Sequence, residues 1–290
     1  MKTIKNIVAC LLFIIPLTFG SFSQENKNKN NLNRQEMVLQ NLFDSLANAN
    51  DDETRIKVNN EIKTLLGNIV DNPESFEYPF DSIKNAGILT SPDKKLRLYN
   101  WNLPYENGVH EYYCFIQYKP NKKKQKILNF ELKDVSENIE EPEQSIINYP
   151  DWYGALYYKI IPIETRFNEK YYTLLAYDMN DFLTNKKIVE VLRFDKDNKP
   201  IFGASIFKNR RKISNRLIFE YSEFASMILE YEEDKEMIVY DHLSPSSPKY
   251  EGQYEFYGPD FSYDGLKYEK GIWNTYYDLD LRLNKINIDD

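Results

Sequence analysis

The chain has 290 residues, with 37 Lys and Arg against 45 Asp and Glu and a formal net charge of −8. That sign speaks against the basic face a phosphate backbone requires, so no nucleic-acid partner is expected. Only two cysteines are present, Cys10 and Cys114, too few for a disulfide framework in a chain of this size.

The chain opens as an export signal. Lys2 and Lys5 precede an apolar run from Ile7 to Phe19, interrupted by Pro16 and Thr18, and Gly20, Ser21 and Ser23 offer small residues for cleavage after Ser23. The run is shorter than the ~20 residues a membrane-spanning helix needs, and no later stretch approaches it, so no transmembrane segment is expected. Cys10 precedes most of the run, whereas a lipid-anchored cysteine follows it, which disfavours a lipoprotein. The expected location is periplasmic or secreted. Loss of residues 1–23 removes Lys2 and Lys5 and no acid, taking the charge from −8 to −10.

Residues 24–33, QENKNKNNLN, show no apolar periodicity and read as a disordered tether. Residues 34–72 read as a helical hairpin. Val38, Leu42 and Leu46 recur at helical spacing beside Leu39 and Phe43, and Val58, Ile62, Leu65, Leu66 and Ile69 form a second stripe. Asp51 and Asp52 offer a cap between them, and Pro73 ends the second helix. The hairpin is expected to dock through Val58, Ile62, Leu65 and Ile69.

From 88 to 290 the pattern is that of strands punctuated by turns. KLRLYNWNL and HEYYCFIQYK flank PYENG, and DKDNKP (195–200) is the clearest tight turn. Residues 96–118 and 173–194 echo each other as two similar hairpins. The basic run KPNKKKQK (119–126) reads as a solvated loop between strands. With 23 Tyr and 17 Phe, the strands are aromatic. The expected fold is mainly β, α+β overall, with the helical hairpin packed on an antiparallel multi-stranded sheet, sandwich or open-barrel system.

Few chemistries have a foothold. His110 and Cys114 lie four apart on one strand, roughly 13 Å at ~3.3 Å per residue, too far to act as a pair, and Cys114 reads as a buried core thiol. CxxC, HExxH, GxSxG and phosphate-binding glycine motifs are missing from the sequence, so no metal or cofactor is expected. Asp195, Asp197 and Asn198 read as turn residues rather than calcium ligands. The stretch FYGPDFSYDG (256–265) reads as two turns bracketed by rings, with Asp260 and Asp264 accepting backbone N–H bonds. If any surface takes a ligand, the first candidates are Tyr257, Asp260, Tyr263, Asp264, Trp273 and Tyr276, because a ring at a turn is hard to hide on all sides.

KLRLYNWNLPYENGVHEYYCFIQYK, WYGALYYKI, YYTLLAYDMND and FYGPDFSYDG, in that order, resemble a family of exported β-rich proteins of Bacteroidetes-type bacteria. The resemblance covers roughly 85–285. It implies an envelope or periplasmic location and carries over no catalytic residue. The expected function is non-enzymatic binding of an envelope partner or glycan through an aromatic surface. The alternative is a carboxylate-dependent hydrolase acting on glycan, for which two facing carboxylates would be required.

Overall fold

The computed structural model describes residues 19–120 and 126–280. Most of the stretch expected as a signal segment, with Cys10, and the centre of the basic loop lie outside the described residues. The fold is mainly β, 43% strand and 20% helix, with two helices packed against antiparallel multi-stranded sheets and no closed barrel.

Helix α1 (Phe19–Ala47) runs through the stretch expected as a tether. Composition misleads there because the apolar stripe starts earlier than the Asn- and Lys-rich run suggests. Leu32, Leu39, Phe43 and Leu46 follow a three-four spacing and are all buried. The polar position within that stripe, Glu36, is satisfied: it accepts from the Tyr78 hydroxyl at 2.6 Å and the Ser82 N–H at 2.7 Å. Val38, expected on the stripe, faces solvent.

Helix α2 (Asp52–Val70) starts where Asp51 accepts the Thr54 N–H at 2.8 Å. Its Ile62, Leu66, Ile69 and Val70 are buried, and Val58 and Leu65 half-buried, against Tyr99, Trp101, Leu103 and Phe115. Docking through the expected stripe is thus realised, and each buried aliphatic contributes about 1.5–3 kcal/mol. Trp101 also donates its indole N–H to Asn59 at 2.7 Å, which fixes the helix in register on the sheet.

The first sheet is an antiparallel meander of β1 (Gly87–Thr90), β2 (Leu96–Pro104), β3 (His110–Tyr118) and β4 (Leu128–Glu131). A connection follows with three two-residue strands, β5 (Lys133–Asp134), β6 (Ile147–Asn148) and β7 (Asp151–Trp152), of which β5 and β7 pair in parallel. A second meander comprises β8 (Leu156–Glu164), β9 (Lys170–Asp178), β10 (Thr184–Phe194) and β11 (Pro200–Phe202), with β6 at its edge. After β12 (Phe207–Asn209) and β13 (Lys212–Ser214), β14 (Leu217–Ser222) returns to pair with β10. The third sheet is β15 (Leu229–Glu232), β16 (Met237–Pro245), β17 (Tyr257–Glu269) and β18 (Ile272–Tyr276), extended by β12 running parallel to β18.

Alternation along the strands stacks these elements in layers. On β2 and β3, Tyr99, Trp101 and Phe115 face the helices, while Leu96, Leu98, Tyr112, Cys114 and Ile116 face the second sheet. On β9 and β10, Tyr172, Leu174, Ile188 and Leu192 face the first sheet, while Leu175, Val189 and Val191 join Leu229, Ile238, Tyr240, Leu266 and Trp273 of the third. The middle sheet is buried on both faces. That explains why YYTLLAY and IVEVL read as nearly unbroken apolar runs. Cys114 sits in the first interlayer core, where burial pushes its thiol pKa up, away from reactivity.

The two echoing hairpins are β2–β3 and β9–β10, in the first two layers. PYENG closes with the Tyr105 N–H bonded to Val109 O at 2.9 Å and Gly108 at φ 84°. DKDNKP closes with Asn198 at φ 61° and the Asp195 carboxylate accepting the N–H groups of Asp197 and Lys199.

FYGPDFSYDG is not the two-step corner that its turn residues suggest. Tyr257–Glu269 is one continuous strand. Its register against β16 slips between Asp241↔Tyr263 and Leu243↔Pro259, so residues 260–262 stand opposite His242 alone. Asp260 serves a bulge, a device that bends a strand and re-aims its side chains, by accepting from Ser262 within it. Phe261, at φ 71°, carries the strained backbone.

Candidate functional site

The structure disperses the six residues singled out in the sequence. Trp273 is 1% exposed and donates its indole N–H to the Thr173 hydroxyl at 3.0 Å, so it is a core ring joining the second and third layers. Tyr263 and Tyr276 meet on the outer face of the third sheet, against Met237, Val239 and Leu279. The Tyr276 hydroxyl donates to Glu269 at 2.9 Å. Asp260 accepts both the N–H and the hydroxyl of Ser262 within the bulge, as expected of a turn residue. Tyr257 lies at the start of β17, its hydroxyl accepting the Gly252 N–H at 3.0 Å.

Asp264 is buried and forms the most polar contact of the group. It accepts from Nδ1 of His242 at 2.7 Å and from the Asp278 N–H at 3.2 Å. The hydrogen bond to Asp264 raises the His242 pKa above 6.5, against an opposing effect of burial, and Asp260 and Asp278 add to it electrostatically. A histidine whose folded pKa is raised stabilises the fold fully below its unfolded pKa, and that contribution disappears as pH rises through the folded value. Wild-type melting temperature is therefore expected to fall as the pH rises from about 6 upward, and His242→Gln to flatten that fall. Parallel melting curves for the two proteins would refute this role.

A different surface gathers exposed rings, and it lies where Tyr257 does. Four connections meet at one end of the stack. The β2–β3 turn touches the β9–β10 turn, since a Cβ at Gly108 would come within 2.5 Å of the Phe182 ring. The β9–β10 turn is tied to the segment after β14 by the Glu223 N–H bonded to Leu183 O at 2.9 Å. Ala225 of that segment packs beside Gly258 at the start of β17. The segment before β17 adds Tyr250 stacked on Phe256 at 4.0 Å, and Tyr254 beside Tyr257 at 5.1 Å.

Along this crest Phe224 is 94% exposed and Phe182 and Leu183 60% each, with Tyr254 and Phe256 also exposed. Scattered single apolar side chains are ordinary on a protein surface, whereas a row drawn from three separate connections is a candidate interaction surface. Sequence reasoning missed Phe182 and Phe224. The available signal was their position: DFL and EFA place a large apolar residue among turn-forming neighbours, off any strand alternation.

The buried carboxylates outside this crest are committed to structure. Asp178 accepts from the Tyr112 hydroxyl at 2.8 Å and the Asn180 N–H at 2.7 Å. Asp241 accepts the Ile228 N–H at 2.7 Å, and Glu190 is paired with Arg216. Among the described residues no group of three His, Cys, Asp or Glu is placed to hold a metal ion, and no helix is long and apolar enough to cross a membrane. No protein-family model, curated protein sequence or solved structure significantly matches the chain.

Proposed function

We propose that the protein is an exported, non-enzymatic component of the cell envelope that binds a partner protein through the aromatic crest. The observation that carries this reading is the row of exposed Phe182, Leu183, Phe224, Tyr254 and Phe256 contributed by three connections at one end of the stack. Phenylalanine and leucine suit an apolar pocket on a protein partner, where a few central rings supply most of the affinity. Glycan stacking would draw mainly on Tyr254 and Phe256. Binding is favoured over hydrolysis by the carboxylates, whose buried members hold hydrogen bonds within the fold.

Photocrosslinking in intact cells, from a photoreactive phenylalanine at position 224, tests the reading. One discrete protein adduct from the envelope fraction is expected, lost when Phe182→Ser is added, with the melting temperature unchanged. A cytoplasmic location, or an adduct indifferent to Phe182→Ser, would overturn it.

A further inference from the structure

The opposite end of the third sheet carries a different surface, independent of the crest. Strand β17 runs from Tyr257 to Glu269, so its far end lies roughly 40 Å from the crest at ~3.3 Å per residue. There, Arg166 from the β8–β9 turn, Lys208 from β12, Arg210 from the β12–β13 turn and Lys270 from the β17–β18 turn line one open groove of about 830 Å³. The single acid in its lining is Glu269, which already accepts the Tyr276 hydroxyl at 2.9 Å.

Four cations converge here in a chain whose net charge is −8. Elsewhere on the surface lysines find acids: Lys63 with Glu131, Lys119 with Glu77 and Lys159 with Glu233, each at 2.7 Å. Among the described residues, none of the four groove cations has a carboxylate within 4.0 Å. The groove is also structured. Arg166 donates its Nε–H to the Lys270 carbonyl, and Arg210 lies over the Tyr277 ring at 5.4 Å. Lys270 and Arg210 sit at left-handed turn positions, φ 50° and 51°, so the backbone itself presents both side chains.

We propose that this groove binds an anionic glycan, a sugar chain bearing carboxylate or sulfate groups. Convergent, unpaired cations supply the charge complementarity, and guanidinium forks match carboxylate and sulfate oxygens. The Tyr276 ring in the lining gives a sugar face something to pack on. An open groove admits a chain rather than enclosing a small molecule. The lining offers one ring, Tyr276, and no row of rings on which successive bases could stack, which disfavours single-stranded nucleic acid.

The test is titration of the purified protein with polygalacturonate, heparin, neutral dextran and single-stranded DNA. Binding of polygalacturonate or heparin is expected; polygalacturonate carries carboxylates alone and heparin both groups, so binding of polygalacturonate shows that carboxylate suffices, and binding of heparin alone shows that sulfate is required. Raising salt from about 0.1 M to about 1 M, which shortens the screening length from ~10 Å to ~3 Å, should weaken that binding at least about tenfold. The double variant Lys208→Glu with Arg210→Glu should weaken it by about tenfold or more with melting unchanged, whereas Phe224→Ser should leave it intact. If the double variant fails to fold, Lys270→Glu carries the same expectation. Equal affinity for DNA, binding of dextran, indifference to charge reversal, or no binding of either acidic glycan would overturn the proposal.

Discussion

Glu190→Gln or Arg216→Met, made singly, is expected to destabilise the protein by about 3–5 kcal/mol in urea denaturation, while the double replacement Glu190→Leu with Arg216→Met recovers most of that loss. Both side chains are almost inaccessible, at 0% for Arg216 and 1% for Glu190, with Nε 2.5 Å from Oε2. Glu190 also accepts the Val191 N–H at 3.1 Å. Arg216 donates to the Pro142 carbonyl and lies over the Tyr153 ring at 5.3 Å. The pair thus fastens the 135–146 connection onto the middle sheet. Burial pushes the Glu190 carboxyl pKa up and Arg216 opposes the shift, so each charge depends on its partner. Removing one leaves the other desolvated and unpaired. Removing both leaves an apolar gap, a smaller penalty. A single variant that melts like the parent would refute the dependence.

Arg97→Met is expected to cost about 3 kcal/mol or more, with Arg97→Lys recovering less than half of it. Arg97 is buried with no carboxylate beside it. Its guanidinium donates to the carbonyls of Ser75 at 3.0 Å, Phe76 at 2.5 Å and Tyr78 at 2.7 Å. The rings of Phe80 and Tyr99 lie within 5.4 Å of it. Those carbonyls belong to the segment that leaves α2 and approaches the first sheet. A planar fork reaches three of them at once, and an ammonium cannot. The replacement should also make residues 71–86 cleavable in limited proteolysis. Resistance equal to the parent's in Arg97→Lys would show that charge alone suffices.

Local patterns were readable from the sequence, and long-range pairings were not. Ile62, Leu65 and Ile69 announce a docking helix because 3.6-residue periodicity is written in neighbouring positions. PYENG and DKDNKP announce turns because Gly and Asn are needed where φ is positive. Residues 24–33 misled because Leu32 is one apolar residue among amides, and its meaning depends on Leu39 and Phe43 further along. Trp273 reads as a surface candidate because it follows the Lys270–Gly271 turn. Its hydroxyl partner, Thr173, lies 100 residues away. Nothing in the neighbourhood of Arg216 or Arg97 marks either as buried. The bulge in β17 used the same residues as a turn, so composition could not separate the two.

The layering imposes an order of completion on a chain delivered N-terminus first. The first sheet is built wholly from consecutive strands and the other two largely so, which needs little loop closure, but each covers the one before it. Once residues 19–131 are in place, the helices shield one side of the first sheet. Its other side, with Leu96, Leu98, Tyr112, Cys114 and Ile116, has no cover until the strands from Leu156 onward arrive. A nascent chain therefore holds out a greasy plane during that interval, the moment at which a holding chaperone would be needed and aggregation would begin.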